Sequence, residues 1–195
     1  MWEWMPMRVH VLVLNYNGRQ LLAECLPSVL EAARRSRYRC DVTVIDNDSR
    51  DDSLAWLAEH FPRVRVVRCE NRGLSSFNEV VAGLTAPVVL LLNNDIKLDS
   101  RAIDPLVEPL LESPDPSRRA DPSPCFMTAP LCWRFDGRTY EGFKTAVRWR
   151  WGLVQATAIF DGHAGGIHTA GPTASAGAAM AVDRRKFVEL GGFDP

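Results

Sequence analysis

Apolar residues gather in four short runs, Val9 to Leu14, Val42 to Ile45, Val64 to Val67 and Val88 to Leu92, each rich in β-branched side chains and bounded by polar or glycine-containing segments. Runs that are apolar throughout predict strands buried on both faces, as in a parallel sheet. Between the first two runs, Leu22, Leu26, Val29, Leu30 and Ala33 recur at helical spacing and make one apolar stripe. Ser53 to Phe61 and Ser75 to Leu84 follow the same rhythm. Strand and helix therefore alternate, which predicts right-handed crossovers and a Rossmann-like α/β fold, an open, mostly parallel sheet with helices on both faces.

Beyond these units the pattern changes. Residues 113 to 124 read SPDPSRRADPSP, where prolines and small polar residues predict a surface loop. In residues 133 to 171 Trp133, Trp149 and Trp151 interleave with arginines and glycines, which reads as mixed strand and loop. The ending, TASAGAAMAVDRRKFVELGGFDP, predicts a strand of small and apolar residues, then a short helix from about Arg184 that Gly191 and Gly192 terminate.

A chain of 195 residues, 46% hydrophobic and 24% charged, is long enough for a full core and is expected to form a single domain over residues 1–195. Its formal net charge of -1, without a dominant basic stripe, excludes nucleic acid as the main partner. Arg34, Arg35, Arg37 and Arg39 fall where a helix should end, and cations there suit the helix dipole. The five cysteines, Cys25, Cys40, Cys69, Cys125 and Cys132, include no C-x-x-C pair, so neither a zinc site nor a disulfide framework is expected; reduced thiols point to the cytoplasm. The N-terminal segment lacks the charge pattern of a signal peptide, and no apolar run approaches the ~18 residues of a membrane span.

In an open parallel sheet, ligands bind beyond the carboxyl ends of the strands. Those ends are polar here: Asn15, Tyr16, Asn17 and Gly18 after the first strand, DNDSRDDS (46–53) after the second, Asn71, Arg72 and Gly73 after the third, Asn93, Asn94 and Asp95 after the fourth. The second loop carries four carboxylates, Asp46, Asp48, Asp51 and Asp52, more than capping a helix requires, and Asp46 lies too early to cap one. A carboxylate there can accept a hydrogen bond from a pyrimidine N–H or a ribose hydroxyl. Asp95 is a hard oxygen ligand suited to magnesium or manganese, which are commonly held by one or two carboxylates plus substrate phosphates. An anionic pyrophosphate near so many carboxylates also calls for a cation between them. The glycine-rich loops of dinucleotide-binding dehydrogenases and of P-loop enzymes are absent, the first strand running instead into NYNGRQLL.

The segments VLVLNYNG, VIDNDSRDDS, ENRGLSSFNEV, VVLLLNNDIKLD and SAGAAMAVDRRKFVELGGFDP, in this order, resemble the family 2 glycosyltransferases of the A-type fold, especially the rhamnosyltransferase-like branch, from about Val9 to Pro195. The resemblance implies a metal-assisted, inverting transfer of a sugar from a nucleoside-diphosphate sugar to the hydroxyl of a glycan or lipid-linked acceptor, in the cytoplasm or in peripheral association with the inner face of the cytoplasmic membrane. It places Asn15, Asn17, Asp46, Asn47, Ser49, Asp51, Asn71, Gly73, Asn78, Asn93 and Asn94 at the donor. Asp95 becomes the metal-binding carboxylate that ends the family's D-x-D motif, with Asn93 in the motif's first position. Val80 and Asp52 stand where the family often has glycine. Similar enzymes take their catalytic base from an acidic pair roughly a dozen residues after GGFD, so the base is expected beyond Pro195, and Asp194 belongs to GGFD itself.

Other residues have two readings each. His163 and His168 could reach the donor or lie in a solvated loop; Arg184, Arg185 and Lys186 could meet phosphate or form a polar first helical turn. Trp149 and Trp151 could stack on an acceptor sugar or pack the sheet. The alternatives to an active transferase are a non-catalytic nucleotide-sugar-binding remnant without a base, and a nucleotidyltransferase. The latter requires a glycine-rich phosphate loop near the N-terminus, which is missing.

Overall fold

The computed structural model describes residues 7–111, 125–139, 144–159 and 177–194. The chain divides into two compact units, one of residues 1–128 with 178–195 and the other of residues 129–177.

In the first unit the four apolar runs form strands β1 (Arg8–Asn15), β2 (Arg39–Asn47), β3 (Arg65–Cys69) and β4 (Val88–Asn93). Helices α1 (Arg19–Arg35), α2 (Ser53–His60) and α3 (Ser76–Ala82) connect them, the last entered through a 3-10 turn over Gly73–Ser75. Chain order continues with α4 (Ile103–Leu111), β5 (Met127–Thr128), the hairpin strands β6 (Lys144–Arg150) and β7 (Leu153–Ile159) of the second unit, β8 (Ala179–Asp183) and α5 (Arg184–Glu189). The six strands of the first unit are ordered β3-β2-β1-β4-β8-β5. β1 pairs in parallel with β2 and β4, and β2 with β3, whereas β8 runs antiparallel to β4 and to β5. Strand succession moves outward from β1 to β3 and then returns to β1's other side, so β1 and β4 flank the point where strand order reverses. Such a reversal opens a crevice at the carboxyl ends of the two strands.

Side-chain alternation along β1 feeds two cores. Val9, Val11 and Val13 pack with Leu22, Leu26 and Val29 of α1 and with Ile103, Leu106, Val107 and Leu110 of α4. Leu12 turns to the other face, among Ile45, Leu91, Phe77 and Val81 of α3 and Phe187 of α5. Both faces of the central strands are thereby closed, the arrangement that continuous apolar runs dictate. Pro27 lies inside α1 and Pro109 inside α4.

His10 is a buried polar residue in β1, its Nε2 2.8 Å from the Thr43 hydroxyl. Burial pushes its pKa below the ordinary 6.5, with Asp41 pulling the other way. Because the folded value is the lower one, the neutral ring's contribution to stability is complete above the ordinary value and fades as pH falls through it toward the folded value. The unfolding free energy of the wild type, from urea titrations, should therefore drop below about pH 6.5 with a slope of at most about 1.4 kcal/mol per pH unit from this group, and His10→Gln should flatten that part of the profile.

The second unit contains a two-stranded antiparallel hairpin, β6 with β7, in register from Lys144 opposite Ile159 to Arg150 opposite Leu153. Trp151 and Gly152 make the two-residue turn, with φ of 57° and 76°. Positive φ at both central positions matches the right-handed twist of the flanking strands.

Candidate functional site

The crevice between β1 and β4 is lined by a continuous set of side-chain hydrogen bonds. Asn15, the last residue of β1, is fully buried. Its Nδ2 donates to Asp46 Oδ1 at 3.3 Å and to Ser49 Oγ at 3.1 Å, while its Oδ1 accepts from Asn94 Nδ2 at 2.8 Å. One amide thus ties the end of β1 to the loops after β2 and β4. Asp46 is also fully buried, and its second oxygen accepts from the Ser49 backbone N–H at 3.2 Å, which folds the start of the acidic loop back over the strand end. Both carboxylate oxygens are engaged by the protein, as a buried anion requires.

Nearer the rim, the Asn17 N–H donates to Ser49 Oγ at 2.9 Å, and Asn17 Oδ1 accepts from the Arg50 N–H at 2.7 Å. Asn17 and Asp48 both have positive φ, 49° and 63°. Asparagine and aspartate tolerate that region better than other non-glycine residues, which is a local reason for their presence in these tight bends. Asp51 is exposed and accepts from the backbone N–H groups of Arg19 at 3.1 Å and of Ser53 at 3.1 Å. Partial burial pushes its pKa up, but the hydrogen bonds from Ser53 and Arg19 outweigh it and hold the carboxyl below its ordinary value. Gly18 faces the same amides: a Cβ there would overlap Nδ2 of Asn94 and crowd Oδ1 of Asn15.

A second set organises the loop after β3. The buried Asn47 donates from Nδ2 to Asn71 Oδ1 at 2.9 Å; its Oδ1 accepts from Ser76 Oγ at 2.6 Å and from the Arg72 N–H at 3.3 Å. Asn71 Oδ1 also accepts from the Gly73 N–H at 3.1 Å, and Gly73 turns with φ 58°. Ser76 holds this loop as firmly as Asn47 does, yet the sequence reading did not select it. Its only signal is its place in the SSFN stretch.

Asn78 belongs to neither set. Its side chain clasps the backbone of Phe193 from both sides, Nδ2 donating to the carbonyl at 2.8 Å and Oδ1 accepting from the N–H at 2.9 Å. Phe193 in turn packs edge-on against Phe187 and near Phe77. Asn78 therefore fastens the GGFD turn to α3.

Asn93 closes β4, its N–H bonded to the Ala178 carbonyl at 2.9 Å. Asp95 follows on the exposed turn beyond. Among the described residues no group of three or more His, Cys, Asp or Glu side chains could hold a metal by itself. The oxygen donors expected here from the sequence are one carboxylate, Asp95, and the Asn93 amide. Such a set fits magnesium or manganese when substrate phosphates complete the shell, and fits no all-protein cage. A separate depression of about 530 Å³, bordered by Arg68, Cys69, Arg72, Ser76 and Asn78, runs along the edge of β3 and α3 rather than at the strand-order reversal. His163 and His168 lie outside the described residues.

The sequence pattern of Glycosyl transferase family 2 matches residues 10–123, which run from within β1 through β2, β3 and β4 and include the loops that follow these four strands. The chain belongs to that family. A mannosyltransferase from Pyrobaculum calidifontis, solved in complex with GDP-Man and Mn2+, superposes with a TM-score of 0.54 at 20% identity, over 100% of this chain and 51% of that one. That likeness concerns the fold, which is the Rossmann-like A-type fold of glycosyltransferases. The S. aureus protein TarS, residues 1-349 in complex with UDP-GlcNAc, matches 51% of this chain and 30% of its own at 19% identity and a TM-score of 0.42. In Drosophila melanogaster, the protein named "Putative polypeptide N-acetylgalactosaminyltransferase 10" is 25% identical over 188 residues, 89% of this chain. This chain spans 28% of that relative's length. Among the described residues no helix is long and apolar enough to cross a membrane.

Proposed function

We propose that this chain is the donor-binding portion of a transferase that moves a sugar, with inversion, from a nucleoside diphosphate to an acceptor hydroxyl on a glycan or lipid-linked substrate. The observation that carries this reading is the hydrogen-bonded chain from Asn94 through Asn15 to Asp46 and Ser49. It joins three strand ends at the strand-order reversal of a family 2 glycosyltransferase sheet. Binding of GDP-Man with Mn2+ in the mannosyltransferase of like fold supports a nucleotide-sugar donor and a divalent cation here. The five ordered sequence motifs support the rhamnosyltransferase-like branch.

In this proposal the buried Asn15, Asp46 and Asn47 act on the donor by fixing the loops, while Asn17, Ser49 and Asp51 offer groups at the rim to the nucleoside. Asn71 and Gly73 shape the loop beside it, and Asn78 sets the GGFD turn. Asp95 and Asn93, together with the pyrophosphate, hold magnesium or manganese, which supplies charge stabilisation for the departing nucleoside diphosphate. Asp194 is not assigned the part of the base. The enzyme works in the cytoplasm, in peripheral contact with the inner face of the membrane where the acceptor is lipid-linked.

Calorimetric titration with uridine, thymidine and guanosine diphosphates, with and without manganese, tests the proposal. One nucleotide should bind with manganese, and Asp95→Ala should weaken it about tenfold, the effect of removing one charged ligand worth about 1.4 kcal/mol. Manganese-dependent affinity unchanged in Asp95→Ala, or no binding of any nucleotide by the folded protein, would overturn it.

A further inference from the structure

Residues 144–159, KTAVRWRWGLVQATAI, carry three charges, all positive, on Lys144, Arg148 and Arg150. The hairpin register sorts the side chains. Directly opposed residues of an antiparallel pair project to the same face. Trp149 with Val154 and Val147 with Ala156 therefore share one face, and Arg150 with Leu153 and Arg148 with Gln155 share the other. One face is apolar and the other basic at the end nearest the turn, and Trp151 caps the turn itself. Every residue from Val147 to Thr157 is exposed, with Trp149 76% and Trp151 88% accessible.

Two largely accessible indoles on a basic, acid-free ribbon are costly to leave in water and useless to a core. Tryptophan favours the boundary between headgroups and acyl chains, where its ring is half solvated and its N–H finds a partner. Guanidinium groups are drawn to anionic headgroups, whose surface potential is negative. A glycan-stacking platform pairs aromatic faces with groups that bond neutral hydroxyls; a ribbon whose only charges are cations complements an anionic surface instead. We infer that the β6–β7 hairpin is a membrane-docking element that inserts Trp149 and Trp151 at the interface of an anionic bilayer while Arg148 and Arg150 meet lipid phosphates. This deepens the membrane-side location proposed above and rests on it, but it does not depend on donor binding.

The test uses the whole chain without nucleotide, so that its failure leaves the donor reading untouched. Cosedimentation is measured with three vesicle preparations: phosphatidylcholine, phosphatidylcholine in which about one lipid in three is phosphatidylserine, and phosphatidylcholine carrying a neutral glycolipid. The chain should pellet with the anionic vesicles and with neither neutral preparation, and the bound fraction should fall as salt is raised. Trp149→Ala combined with Trp151→Ala should lower partitioning about tenfold or more, and Arg148→Gln with Arg150→Gln should remove the preference for anionic lipid. Far-ultraviolet circular dichroism and the urea midpoint should match wild type in both variants, since the replaced side chains are exposed. No binding to anionic vesicles, equal binding by the tryptophan variant, or binding only to the glycolipid vesicles, which would mark a glycan surface, would each overturn the inference.

Discussion

Asp46→Ala should destabilise the chain by about 3 kcal/mol, read as a lower urea midpoint with an unchanged slope. The carboxylate is fully buried and accepts from the Asn15 amide and the Ser49 N–H. Truncation strands both donors in a site that water cannot freely enter, and a buried donor left unpaired costs more than the bond itself was worth. Asp46→Asn separates charge from shape. It keeps one acceptor oxygen but must turn an NH₂ group toward either Asn15 Nδ2 or Ser49 N, two donors facing each other, and should cost about 2 kcal/mol. Both variants should also lower nucleotide affinity, because the carboxylate holds Ser49 by its N–H and the Ser49 hydroxyl in turn accepts from Asn17. A midpoint within about 0.5 kcal/mol of wild type for Asp46→Ala would mean that water replaces the carboxylate, and that the buried network is not what fixes the loops.

Gly192→Ala should cost about 3 kcal/mol by two routes that add. Gly192 has φ of 75°, where an L side chain is strained by roughly 1 kcal/mol or more. Its new methyl group would also drive into the Asn78 amide, which has to swing away and release both bonds to Phe193. Each of those is a neutral hydrogen bond worth about 1 kcal/mol. Gly191, with φ of 88° but open space where a Cβ would stand, provides the control. Gly191→Ala should lose only the backbone strain. The gap between the two variants, measured by urea denaturation, reports the clasp, and it should vanish in an Asn78→Ala background. A gap that persists without Asn78 would place the cost elsewhere.

Much of the scaffold could be read from apolar periodicity because strands such as VVLLL, buried on both faces, have no polar position to spare. The polar strand ends stood out for the converse reason: after such runs, Asn15, Asp46, Asn71 and Asn93 to Asp95 break a pattern that packing would otherwise extend. The alternation of strand and helix foretold the parallel direction of β1 to β4, but no such alternation leads into the last strand, where an apolar run looks the same in either sense, and β8 proved antiparallel. α4 was missed because Pro105 and Pro109 in IDPLVEPLL resemble loop punctuation, although Ile103, Leu106, Val107 and Leu110 are buried at helical spacing. The Trp151–Gly152 turn lacks the usual Asn-Gly signature, so the hairpin merged into a region of mixed strand and loop. Composition revealed which residues gather at the crevice, whereas the pairing among them depends on three-dimensional register. Asn78 illustrates this: the family motif sets it beside the nucleoside loop, and its hydrogen bonds go to Phe193.

The antiparallel placement of β8 also bears on how the chain is made. Strands β1 to β4 can pair as soon as residues up to 93 have left the ribosome, yet the outer edge of β4 receives its partner only when residues 179 to 183 emerge. Throughout synthesis of the intervening segment, Val88 to Leu92 present an unpaired and strongly apolar edge, the feature most prone to capture a strand from another molecule. Ribosome-bound chains halted within that interval should therefore recruit chaperones or self-associate, and the released chain should not.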